Sequence, residues 1–233
     1  MIRSLDQPSQ AEEMMDAPDL DPGVYVAVLR DLARVNVWTF AARPTLSFLS
    51  RALAGRDQFR LLDVGYGQGD MLRTIAKWAQ RRGINADLVG IDLNPASEAV
   101  ARHATGPSFR IKYLTGDYKD QLDEGYDFIV SSLVAHHMTT AQLTDFLKDM
   151  EQHTRIGWLV NDLHRHYAAY ALFPLLAKIL RVHPIVRHDG QLSIARSLRP
   201  SEWSARLIEA DLDPKTVRIV RYFPFRLCAE RIR

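Results

Sequence analysis

The chain has 233 residues, 47% of them hydrophobic and 25% charged, enough for one ample domain with a buried core. Thirty basic side chains against 28 acidic ones give a formal net charge of +2, which is no electrostatic footprint of an obligate nucleic-acid binder. The one cysteine, Cys228, excludes an internal disulfide and a cysteine zinc cluster. No run approaches the roughly 20 apolar residues of a membrane span, and the start (Asp6, Glu12, Glu13, Asp16) lacks a signal-peptide core. A cytoplasmic location is therefore expected.

Residues 1–20 are polar and acidic and read as a loose start able to fold over a site. Asp21-Pro22 then has the cap-plus-proline form of a helix N-terminus, followed by the apolar face Tyr25, Val28, Leu29, Leu32. A second helix is expected over 44–54, with Leu46, Leu49 and Leu53 inward and Ala54-Gly55 at its end. Trp38, Phe40 and Arg43 lie between the two, as pocket wall or as plain packing.

From residue 59 short apolar segments alternate with amphipathic ones, the pattern of parallel strands joined by crossover helices. Strands are expected over 59–64, 86–92, 108–114, 126–131 and 157–162, with helices over 69–82, 95–104 and 141–153. Residues 163–198 are too long for a connection. Their stripe Leu172, Leu175, Leu176, Ile179 reads as an inserted helical cap, its apolar face turned to the core, to a pocket or to a membrane surface. His183, His188, Asp189 and Arg196 beyond it are further candidate polar contacts. A helix over 200–210 and strands over 216–222 and 225–231 complete the chain, the arginine-rich end reading as a solvated strand edge. The divisions are an N-terminal helical lid (1–57), a cofactor-binding core (58–162), the cap (163–198), and a helix with two strands completing the core (199–233).

The most informative stretch is 61–70, LLDVGYGQGD. An apolar strand runs into a turn with Gly65, Gly67 and Gly69, then into a helical pattern. Such a turn lets backbone and ligand approach closely. The dinucleotide fingerprint is G-x-G-x-x-G; this turn is G-x-G-x-G with Asp63 two residues before it. A carboxylate there repels a pyrophosphate and suits an ammonium group. A second strand ends in Asp92, a third is followed by Gly116-Asp117-Tyr118, and a fourth ends Ser131-Ser132.

In content and order these stretches, over residues 58–162, resemble the class I S-adenosylmethionine-dependent methyltransferases. The resemblance implies an α/β fold: a Rossmann-like seven-stranded mostly parallel sheet with an antiparallel last strand. It implies S-adenosylmethionine as cofactor and S-adenosylhomocysteine as product. The turn Gly65, Gly67, Gly69 would pass the methionine part, and Asp63 would hold its amine. Asp92 would accept from both ribose hydroxyls, with Leu93 beside it; Asp117 and Tyr118 would meet the adenine; Ser132 would lie beneath the cofactor. A looser likeness, in Met14-Met15-Asp16, Asn161-Asp162-Leu163 and the cap, is to bacterial methyltransferases of secondary metabolism.

His136-His137 follows the fourth strand. In the related phenolic O-methyltransferases a histidine at the place of His136 acts as general base, a task suited to a neutral imidazole; His136 and His137 can equally be structural. Asp162, ending the fifth strand, could orient a histidine base. His164-x-His166 has no cysteine or carboxylate cluster of ligand spacing beside it, and Ser132, Leu133 and Val134 stand where catechol-type enzymes place acidic ligands, so no metal ligands are expected. The function expected is metal-independent methylation of a small, aromatic or lipid-like acceptor, at a phenolic or polyketide-like hydroxyl. The alternatives are C-methylation of a quinol-like ring and a non-catalytic S-adenosylmethionine-binding partner. Nucleic acid is not an expected partner, peripheral membrane contact through the cap is an open reading, and the oligomeric state is unspecified.

Overall fold

The computed structural model describes residues 5–17 and 19–233. Its centre is a seven-stranded sheet of β1 (Gln58–Val64), β2 (Asn85–Asp92), β3 (Ile111–Thr115), β4 (Tyr126–Ser132), β5 (Thr154–Leu163), β6 (Arg218–Tyr222) and β7 (Arg226–Ile232). The spatial order is β3-β2-β1-β4-β5-β7-β6. β1 to β5 are mutually parallel, and β7 runs antiparallel between β5 and β6. The third strand starts later than its apolar pattern suggests, because a turn closed by Phe109 N–H on the Gly106 carbonyl precedes it.

Alternate residues of each strand feed two cores. Leu61, Phe128 and Leu159 pack under α2 (Arg43–Ala52) and α3 (Asp70–Arg81), with Phe48, Leu49, Leu72 and Ile75. Leu62, Ile129 and Val160 pack on the other face with Phe146, Leu147 and Trp203, from α5 (Thr140–His153) and α8 (Pro200–Glu209). This is the period-2 alternation of strands sandwiched between helices. The start of α5 is fixed by a capping box, Thr139 bonded to Gln142 N–H and Gln142 to Thr139 N–H.

The arginine-rich end corrects the expectation of a solvated edge. β6 is the edge strand, whereas β7 is interior and its Arg226 is 2% exposed. Glu230 is also buried and pairs with Arg51 and Arg218.

The crossover helix α4 (Pro95–Ala104) packs on β2 and β3 and adds Ala101 to the first core, while α1 (Pro22–Trp38), α6 (Tyr167–Ile179) and α7 (Pro184–Arg196) border the crevice at the carboxyl ends of the parallel strands. α6 and α7 approach closely at Gly190, where a Cβ would stand 2.2 Å from the Phe173 ring. The N-terminal segment is fastened rather than loose. Buried Arg165 donates to the carbonyls of Leu5 (2.9 Å) and Ser197 (2.6 Å), and pairs with Glu202. The N–H groups of Met14 and Met15 donate to the two oxygens of Asp189 on α7, at 3.0 and 2.9 Å. Among the described residues no helix is long and apolar enough to cross a membrane.

Candidate active site

The chain order reverses between β1 and β4, and a crevice at such a switch point is where open α/β sheets bind ligands. Here it opens into a cavity of about 1440 Å³. One side is formed by the glycine turn with Asp63, Asp92, Leu93, Asp117, Tyr118 and Ser132; the other by His136, His137, Glu13 and Asp16, with Leu172, Phe173 and Leu176 of α6. The volume exceeds the roughly 300–1,000 Å³ usual for one ligand. It accommodates a nucleoside-sized cofactor and an acceptor together.

The glycines divide the work of the turn. Gly65 has φ +77°, and a Cβ on it would lie 2.4 Å from a Val134 methyl. Gly67 lies in the cavity wall and its N–H donates to Asp92 Oδ2 at 2.8 Å. Gly69, expected at the cofactor, is outside the wall. Its φ is +76°, and a Cβ would stand 2.5 Å from the Tyr113 hydroxyl, so it is the point where turn, helix and sheet pack closest.

Asp92 also accepts from Asn94 N–H at 2.9 Å, while Asn94 itself caps α4 through Ala96 N–H. The helix therefore does not need Asp92 as its cap. Burial raises the Asp92 carboxyl, partly offset by the bonds from Asn94, Gly67 and Ser97. Asp63 is 1% exposed and neither of its oxygens has a hydrogen-bond partner among the described residues. Burial, and then the charges of Asp70 and Asp92, push its carboxyl well above the usual range. Opposite in sign, buried Arg226 also lines the cavity, with Nε and Nη1 unpartnered among the described residues. Such orphaned charges are costly in an apolar interior and fit a ligand of complementary charge. Asp117 is exposed in the wall and accepts from Lys119 N–H; the Tyr118 hydroxyl donates to Asp149 at 2.8 Å.

After β4 the chain turns through Leu133, at φ +62°, where its N–H is held by the Asn161 carbonyl. Strain of this kind is tolerated where the surroundings over-determine it. It delivers the 3-10 turn Ala135–His137 to the cavity. Asp162 lies behind the wall and holds that turn. Its Oδ2 accepts from His136 N–H (2.9 Å) and its Oδ1 bonds His136 Nδ1 (2.7 Å) and Leu163 N–H (2.7 Å). Burial pushes the Asp162 carboxyl up, yet His136 and these hydrogen bonds outweigh it and the group ends below the ordinary value. With Nδ1–H directed to Asp162, His136 presents the Nε2 lone pair on its other edge. His137 Nδ1 is likewise engaged, by Asp16 Oδ2 at 2.9 Å. Arg196 of α7 secures the pair from behind, donating to the carbonyls of His136 and His137.

The sequence reading misses Glu13. It is buried, its Oε1 accepts from Ser193, and its two oxygens lie 3.7 Å from His136 Nε2 and 3.8 Å from His137 Nε2. Burial raises its carboxyl to about 7, against the lowering effects of His137 and Ser193. This third carboxylate near the histidine pair, beside Asp162 and Asp16, comes from a segment 123 residues before His136 in the chain, which no local spacing reveals. Trp38, Phe40 and Arg43 are exposed and lie outside the wall.

Residues 61–157 match the family model described as a methyltransferase domain. The match runs from β1 to the start of β5 and takes in the glycine turn, Asp92 and the histidine pair, so over these residues the chain is similar to methyltransferase domains. By charge and donor type, the glycine turn with Asp63 and Asp92 is suited to a ligand that carries an amine and hydroxyls, as S-adenosylmethionine does. Solved structures agree on the fold. Human N-acetylserotonin methyltransferase, in complex with S-adenosylmethionine, superposes with a TM-score of 0.63 at 13% identity, over 91% of this chain and 56% of that one. The plantazolicin methyltransferase BpumL, bound to S-adenosylhomocysteine, gives 0.63 at 15% identity, over 90% and 96% of the two chains. Magnesium protoporphyrin IX methyltransferase of Synechocystis PCC 6803 gives 0.52 at 13%, over 94% and 90%. The chain therefore spans a little over half of the human enzyme. No curated protein matches the sequence significantly.

Proposed function

We propose that this protein is a class I S-adenosylmethionine-dependent methyltransferase that acts on the hydroxyl of a small, largely apolar acceptor, phenolic or polyketide-like. The observation that carries this reading is the meeting, in one cavity, of the cofactor-type half with an imidazole whose outer nitrogen is locked by a buried carboxylate. When bound, S-adenosylmethionine supplies an electrophilic methyl group on its sulfonium centre. Asp63 and Arg226 offer opposite charges for an amine and a carboxylate, the two ends of an amino-acid tail. Asp92 has spare lone pairs for ribose hydroxyls, while Asp117 and Tyr118 border the adenine end. Leu172, Phe173 and Leu176 form the greasy wall for the acceptor, and the cap with residues 5–17 shields it from water. The acceptor oxygen is activated at the Nε2 edge of His136. Most of the rate then comes from holding the two reactants in line.

The test is incubation with methyl-labelled cofactor and alkylphenols, resorcinols and quinols, with fragmentation of the products. Label on oxygen, abolished in His136→Ala, supports the proposal. Label on ring carbon shows the quinol alternative. Cofactor binding with no transfer to any acceptor favours a binding partner.

A further inference from the structure

One ligand atom from each of Glu13, His136 and His137 lies within 4.8 Å of the other two on the cavity wall. The Glu13 separations of 3.7 and 3.8 Å are too long for hydrogen bonds. They run to different oxygens, Oε1 for His136 and Oε2 for His137, and each is a few tenths of an ångström wider than the roughly 3.3 Å between ligand atoms around a four-coordinate ion with bonds of about 2.0–2.1 Å. Both Nδ1 atoms are taken by carboxylates, Asp162 at 2.7 Å and Asp16 at 2.9 Å, which turns both Nε2 lone pairs toward Glu13. Three side chains able to offer electron pairs thus gather at one place on the wall. Each has an outer partner that fixes it: Asp162, Asp16, and Ser193 for Glu13. Histidine ligands backed by carboxylates are the usual outer arrangement of a metal site.

We infer that Glu13, His136 and His137 bind a divalent cation of the zinc class, with its remaining position open to the acceptor. Two imidazoles and one carboxylate suit Zn²⁺ and related transition ions better than Mg²⁺. Three protein ligands with an open position make a catalytic type of site. The inference deepens the proposed function and rests on it for the acceptor. A hydroxyl bound to the cation loses its proton to water far more readily than a free one, as metal-bound water does. His136 then acts as a ligand, and Asp162 and Asp16 as positioning residues.

The experiment starts from full-length protein freed of metal by a chelator and titrates it calorimetrically with Zn²⁺, and spectroscopically with Co²⁺. One equivalent is expected to bind. Affinity should fall at least 100-fold in Glu13→Gln and His137→Ala, and about 10- to 100-fold in Asp16→Asn, which spares every ligand. His103→Ala, on an exposed histidine remote from the cluster, should change nothing. S-adenosylmethionine binding, measured in parallel, identifies any variant that has failed to fold. Absence of stoichiometric binding in the folded wild type overturns the inference. If hydroxyl methylation then survives the chelator and vanishes in His136→Ala, His136 is the direct base and the proposed function stands. Stoichiometric cation binding with no transfer to any hydroxyl upholds the site and removes the proposed function.

Discussion

Replacing Asp63 by Asn should strengthen the cofactor-free fold and weaken cofactor binding. The carboxylate is 1% exposed, has no hydrogen-bond partner among the described residues, and sits in the fields of Asp70 and Asp92. Its folded pKa is therefore raised above the unfolded value. Such a group contributes stability that is fully present below the unfolded pKa and lost as pH rises through the folded one. Asn carries no such loss, so its advantage should be absent near pH 4 and grow on the way to pH 8. Removing an unsatisfied buried charge relieves about 1–3 kcal/mol, or roughly 2–12 °C in Tm for a chain of this length. The same charge is the proposed partner of the cofactor amine. Losing a charge-assisted bond of about 1.5–3 kcal/mol weakens binding about 10- to 150-fold. Thermal melts from pH 4 to 8.5, with calorimetric titration by S-adenosylhomocysteine, read both effects. A variant that melts lower than wild type at pH 8 and binds the ligand unchanged would refute the reasoning.

Four other outcomes follow from the same geometry. Wild-type protein should release protons on binding S-adenosylhomocysteine and bind it more tightly as pH rises through the raised Asp63 pKa; calorimetry in buffers of different ionisation enthalpy reads this, and Asp63→Asn should abolish it. Gly65→Ala should lose about 1–3 kcal/mol of stability on a denaturant curve, since it sets a Cβ 2.4 Å from Val134 at a positive φ. Arg165→Met should lower the melting point by about 2–12 °C, because it leaves the buried Ser197 carbonyl without its donor and takes one of two donors from the Leu5 carbonyl and from Glu202, which keep Arg199, at a cost of about 1–3 kcal/mol. Leu176→Ala should raise KM for the acceptor while leaving cofactor affinity as it is, because Leu176 lies on the cap helix α6, the proposed acceptor wall.

The α/β core was legible because its signals are local. Strands such as Leu61–Val64 and Ile129–Ser131 alternate between two helix layers, and Asp92 and Gly65 sit at fixed offsets from them. The same locality explains what was missed. α7 buries Ile185 and Leu192 together with Asp189 and Ser193, since it packs on α6 on one side and holds the N-terminal segment on the other. A helix with polar and apolar residues buried alike carries no amphipathic period. Arg226 looked like part of a charged edge because composition does not say which of two final strands is interior. The histidine pair was visible at 136 and 137, whereas Glu13 and Asp16 reach it only through a segment pinned by Arg165, Asp189 and Arg196.

The central claim, that this cavity takes S-adenosylmethionine through Asp92 and the glycine turn, is tested most directly by calorimetric titration. S-adenosylmethionine and NADH are each titrated into wild type and Asp92→Ala. The account predicts micromolar binding of S-adenosylmethionine alone, weakened at least about 10-fold in the variant, which loses both a ribose acceptor and the Gly67 anchor. Folded wild-type protein that ignores S-adenosylmethionine, or that prefers NADH, would contradict it.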